Sequence, residues 1–129
     1  IRSNGSMKTF HTVSAAIEIA AGLLLALLPA QAVTFLFGVA LSTSVEMALA
    51  QLAGAALLAL GVACWLTRHD EQSGAARPLV GGMLVYNAGA VTVFVYAVLV
   101  LGLDGIGLWP AALLHGALAV WCVVLLLKR

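Results

Sequence analysis

Charge is scarce in this chain. Of 129 residues only 9% are charged, with Lys+Arg 6 against Asp+Glu 5 and a formal net charge of +1. That balance offers no basic surface for nucleic acid. Cysteine is limited to Cys64 and Cys122, both inside apolar runs and never in a Cys-x-x-Cys arrangement, so they read as two buried free thiols. There is no phosphate loop, nucleotide fingerprint or nucleophile motif, and the three histidines have no ligand spacing such as His-x-x-x-His. No metal or cofactor is therefore expected, and haem is disfavoured because His11 and His115 begin spans that run in opposite directions.

What is present is apolar surface. The hydrophobic share is 64% and the mean hydropathy is +1.13, more than one small water-soluble core can hide. The runs are long enough to cross a bilayer, which takes about 20 residues. The expected fold is all-α: one integral membrane bundle of four transmembrane helices over residues 7–129, with spans near 9–28, 45–66, 79–101 and 110–127. Residues 1–6, before Met7, read as a cloning scar. Pro29 ends span one, because proline disfavours helical geometry in the residue before it, and Thr9 or Thr12 is the expected cap at its start. The segment Gln31–Leu41 is apolar but too short to cross, and reads as interfacial or re-entrant, with Phe35 and Phe37 at the lipid boundary. Thr43-Ser44-Val45-Glu46 fits a capping box at the start of span two. The stretch from Thr67 to Pro78, including His69, Asp70 and Glu71, reads as an aqueous loop.

Every Lys and Arg falls on one side of such a bundle: Arg2, Lys8, Arg68, Arg77, Lys128 and Arg129. The positive-inside rule then places both termini in the cytoplasm and the protein in the inner membrane. Trp65 and Trp109 fit as interfacial anchors. Small residues (Ala50, Gly54 and Gly61 in span two; Gly81, Gly82, Ala88 and Gly89 in span three; Ala112 and Gly116 in span four) predict close helix packing, with faces left over for a homodimer or another membrane protein.

Glu18 is the only carboxylate inside an apolar run. A charge at the bilayer centre costs at least ~2.5–3.5 kcal/mol, so Glu18 must be neutral, paired or facing water. Helix rise puts Asn87 at a similar depth, which suggests a Glu18–Asn87 pair. The same counting suggests a second pair, Gln51 with His115, nearer the far side. Glu18 shares a face with His11, Ser14 and Gly22, whereas Tyr86 is expected to point elsewhere. These residues predict a ligand or proton site built from Glu18, Asn87, His115 and Gln51, with interhelical hydrogen bonding as the alternative role.

In outline, with four short spans and a lone Glu in the first, the chain resembles the small multidrug resistance transporters. The residues around Glu18, Ala15-Ala16-Ile17-Glu18-Ile19-Ala20-Ala21-Gly22, and the apolar segment after span one depart from that family, and its function is not carried over. Three functions are compatible with the sequence. The first is transport or binding of a small, mostly apolar solute, linked to a proton through Glu18. The second is a non-catalytic accessory subunit of a membrane complex. The third is a lipid- or quinone-linked enzyme or redox partner.

Overall fold

A computed structural model describes residues 2–70 and 74–128 of the chain. Glu71, Gln72, Ser73 and Arg129, with the side chain of Arg2, lie outside the described residues. The fold is all-helical: α1 (Arg2–Leu27), α2 (Pro29–Phe37), α3 (Ser44–Thr67), α4 (Ala76–Leu99) and α5 (Leu108–Leu127). Four of these, α1, α3, α4 and α5, are long and apolar enough to cross a membrane. The nine residues of α2 are too few.

Local chemistry sets the helix ends. The Thr43 side chain accepts from the Glu46 amide while Glu46 accepts from the Thr43 amide, so the expected capping box starts α3. The expected Thr cap on α1 does not form. The helix begins well before Thr9, and the hydroxyls of Thr9 and Thr12 donate instead to the carbonyls of Gly5 and Lys8 one turn back. Pro29 opens α2, and Gly38 closes it in the left-handed region at φ 77°. Phe35 is exposed, but Phe37 turns inward onto Phe94 at 6.2 Å between ring centroids. The Phe35 carbonyl accepts from the Gly107 amide at 3.0 Å, tying α2 to the start of α5.

The bundle is two antiparallel pairs, α1 with α3 and α4 with α5. Glycine makes the first pair. A Cβ added to Gly54 would lie 2.6 Å from the Ala26 nitrogen, and one on Gly22 would lie 2.7 Å from the Leu58 nitrogen. Backbone therefore touches backbone, the arrangement that replaces the hydrophobic drive lipid cannot supply. Gly61 meets Ile19 in the same way, one stage along. Side chains make the rest. Phe10, Val80, Met83, Leu118, Cys122 and Leu125 form a buried cluster joining the two pairs, and Phe10 packs edge-on against Trp121 at 5.4 Å.

The first turns of α1 and α4 and the last turns of α3 and α5 share one end of the bundle. There the Arg77 guanidinium donates to the carbonyls of Leu126, at 2.5 Å, and Lys128, at 3.1 Å. Leu126 lies in the last turn of α5 and Lys128 is its C-cap, where carbonyls have no partner within the helix. Arg68 lies over the Trp65 ring at 3.5 Å and donates to the Trp65 carbonyl. By contrast Gly81, Gly82 and Gly89 of α4 have nothing within 4 Å of an added Cβ.

Gly54→Ala is therefore expected to lower stability by about 1–3 kcal/mol through overpacking. Gly89→Ala, which adds helix propensity on an open face, should be neutral or stabilising by up to ~1 kcal/mol. Thermal unfolding of both variants in one detergent compares them, and equal midpoints would remove the glycine contact as the basis of the α1–α3 pair.

Candidate functional site

Helix α1 places three polar side chains, His11, Ser14 and Glu18, along one stripe. At spacings of three and four residues they fall within about 60° of arc on a helix of 3.6 residues per turn. All three are 0% exposed. The stripe runs up the middle of the buried arc of α1. Ala15, Ile19 and Gly22 flank it on the α3 side, and Phe10 flanks it on the side of Trp121 in α5.

The His11 ring bonds the Ala76 carbonyl at 3.2 Å through Nε2. A carbonyl only accepts, so Nε2 carries the hydrogen. The other ring nitrogen, Nδ1, has no hydrogen-bond partner among the described residues, nor do Ser14 Oγ or either Glu18 carboxyl oxygen. Four orphaned polar atoms on one buried stripe are uncommon, because buried polar groups are nearly always satisfied. None of the described residues closes a hydrogen bond to these four atoms, and internal water is the usual partner where polar groups cluster.

Glu18 faces Tyr86 of α4 and Cys64 of α3. The Tyr86 hydroxyl of α4 lies beside its carboxyl, within interaction range but without a closed hydrogen bond. Cys64 of α3 lies within electrostatic range of both Glu18 and Cys122 of α5. The two thiols are buried and free, as the sequence suggests. Tyr86 thus faces the site rather than pointing elsewhere: α4 is turned so that Tyr86, and not Asn87, approaches α1.

The expected pairings are rearranged. Asn87 bonds His115 of α5, with Oδ1 2.7 Å from Nδ1, and its amide nitrogen donates to the Met83 carbonyl at 2.7 Å. Gln51 is exposed and donates to the Ala26 carbonyl at 3.4 Å, away from His115. Of the four nominated residues, then, Asn87 and His115 form one pair, Glu18 forms a neighbouring group with Tyr86, and Gln51 stands apart. Depth does not separate Asn87 from Tyr86, which differ by only about 1.5 Å of helix rise; the rotation of α4 about its axis brings Tyr86 toward Glu18 and turns Asn87 to His115.

The polar steps end at His115. Tyr86 meets its ring edge-on at 5.4 Å, Phe94 lies against it at 5.7 Å, and Phe37 lies against Phe94. The seam is polar toward the termini and aromatic toward the opposite end. At the terminal end a cavity of about 240 Å³ is lined by Lys8, His11, Thr67, Arg68, His69 and Asp70, among others. No group of three or more His, Cys, Asp or Glu side chains that could hold a metal ion occurs among the described residues.

Sequence reasoning passed over His11 and Ser14 as site members, although their register with Glu18 was visible. Tyr86 carried no such signal, since its approach to Glu18 depends on how α4 is rotated.

Compared with known proteins, the chain matches no family profile, no curated protein and no solved structure.

A double-mutant cycle between Asn87→Leu and His115→Phe should give a coupling of about 0.6–1.7 kcal/mol, the range for hydrogen bonds between membrane helices. Unfolding in mixed micelles measures it, and additive effects would mean that the bond contributes nothing.

Proposed function

We propose that this small multi-pass membrane protein takes a proton into its bundle at Glu18 and links that proton to binding or transport of a small, mostly apolar solute. The observation that carries the reading is the stripe His11, Ser14 and Glu18, fully buried and with four polar atoms that have no hydrogen-bond partner among the described residues. A carboxylic acid is an expensive choice for a role that only needs a hydrogen bond. An entry route fits the same stripe. Protons reach His11 from the 240 Å³ cavity, pass to Ser14 through internal water, and arrive at Glu18. In the inner membrane this end faces the cytoplasm, as the Lys and Arg residues at the chain ends and in the 67–78 loop favour. Beyond His115, toward the other end, lie Phe94 and Phe37. An apolar class of solute suits the groups near Glu18, Tyr86 and Cys64, and the buried cluster that includes Cys64 and Met83.

A second reading, an accessory subunit that binds a membrane partner, draws on α4. At Gly81, Gly82 and Gly89 an added Cβ would have none of the described residues within 4 Å, and a face of that kind suits helix association.

Glu18→Gln separates the two. It keeps shape and removes the titratable group. In liposomes loaded with a pH-sensitive dye, proton entry driven by a pH gradient is expected to fall by about a hundredfold or more, the low end of what a positioned acid–base group contributes. Thermal stability should change little. Unchanged proton entry in the folded variant would reject the proton reading, and the accessory role would then stand if α4 glycine variants lose a co-purifying membrane partner.

A further inference from the structure

We infer that His115 is a second proton-exchanging group, and that Asn87 is the positioning residue that prepares it. The inference rests on the proton reading above and extends it past Glu18.

It starts from two hydrogen bonds whose directions follow from chemistry. The Met83 carbonyl can only accept, so the end of the Asn87 amide 2.7 Å away is its NH₂. The amide oxygen therefore faces His115, and an oxygen can only accept, so His115 Nδ1 carries the hydrogen across the 2.7 Å contact. A neutral His115 is thus held in the Nδ1–H tautomer, with Nε2 bare. His11 is held the opposite way, with Nε2–H on the Ala76 carbonyl and Nδ1 bare. Each buried histidine has one nitrogen pinned by a fixed acceptor and the other left with a lone pair. Pinning one nitrogen to define the role of the other is how a histidine is set up for proton exchange.

The groups around His115 fit that role. Tyr86 of α4 faces it edge-on, and Glu18 of α1 lies beyond the Tyr86 hydroxyl, with Cys64 of α3 beside Glu18. From α2 the chain of contact is aromatic only, through Phe37 and Phe94. When a proton leaves the Glu18 carboxyl and arrives on Nε2, the carboxyl becomes carboxylate and the ring becomes imidazolium. The Nδ1–H bond to Asn87 is kept throughout. Total charge within the bundle is unchanged, so the step avoids placing a lone charge in lipid. Return of the proton restores the starting tautomer.

The test is the nitrogen-15 spectrum of histidine-labelled protein in lipid, with the His115 signals assigned by loss in His115→Gln. The unmodified protein is expected to show His115 with a protonated Nδ1 and bare Nε2, and His11 with the reverse. Asn87→Leu should move His115 toward the Nε2–H form and slow proton entry into dye-loaded liposomes by roughly tenfold, as the competent fraction falls to about a tenth. Asn87→Asp, whose oxygen also accepts from Nδ1–H, should restore both. A bare Nδ1 on His115 in the unmodified protein overturns the inference, and this outcome needs no variant to fold. So does a tautomer shift in Asn87→Leu that leaves proton entry at the level of the unmodified protein. If Glu18→Gln alone leaves proton entry intact, the proton reading fails, whereas the tautomers of His115 and His11 are still read directly.

Discussion

Contact between the backbones of α1 and α3 decides where everything else on α1 can lie. At Gly22 and Gly54 the two helices approach until an added methyl group would strike main-chain atoms. That closeness fixes both the rotation of α1 and its register against α3. Given the rotation, His11, Ser14 and Glu18 fall on the middle of the buried arc and none of them reaches lipid. A few tens of degrees the other way would carry Glu18 toward the acyl chains, where an acid has no partner and is costly. The polar stripe is therefore a consequence of glycine packing on the stripe beside it.

The second helix pair is built differently and does different work. Gly116 of α5 meets only Val91, at 3.9 Å from an added Cβ, so α4 and α5 are joined by side chains. The Asn87–His115 hydrogen bond and the Arg77 clamp on the last carbonyls of α5 are specific polar ties. In lipid, interhelical hydrogen bonds of this kind add to van der Waals packing in holding two helices together. Between the pairs lies a seam with two halves. Toward the termini it holds imidazole, hydroxyl and carboxyl groups; toward the far end it holds Phe94 and Phe37.

Much of the architecture was legible in the residues. Four long apolar runs, the proline at position 29, the capping box at Thr43 and Glu46, and the short apolar segment after span one all reappear as helices or helix ends. The site was legible in part. Glu18 stood out because an acid inside an apolar run is rare, and its alignment with His11 and Ser14 followed from spacing on one helix. The pairing of Asn87 with His115 was not legible. Depth counted along a helix does not separate Asn87 from Tyr86, and the rotation of α4 about its axis decides which of them approaches Glu18.

Within one helix, chain periodicity alone determines which residues share a face, because 3.6 residues per turn is set by backbone geometry. The identity of the spans and the shared stripe of His11, Ser14 and Glu18 were settled at that level. How the helices rotate against one another is another matter. It depends on which small residues meet across an interface and which bulky ones hold two helices apart, and neither is written in any single segment. Only the tertiary arrangement brought Tyr86 beside Glu18, turned Asn87 to His115 and left Gln51 on the outside.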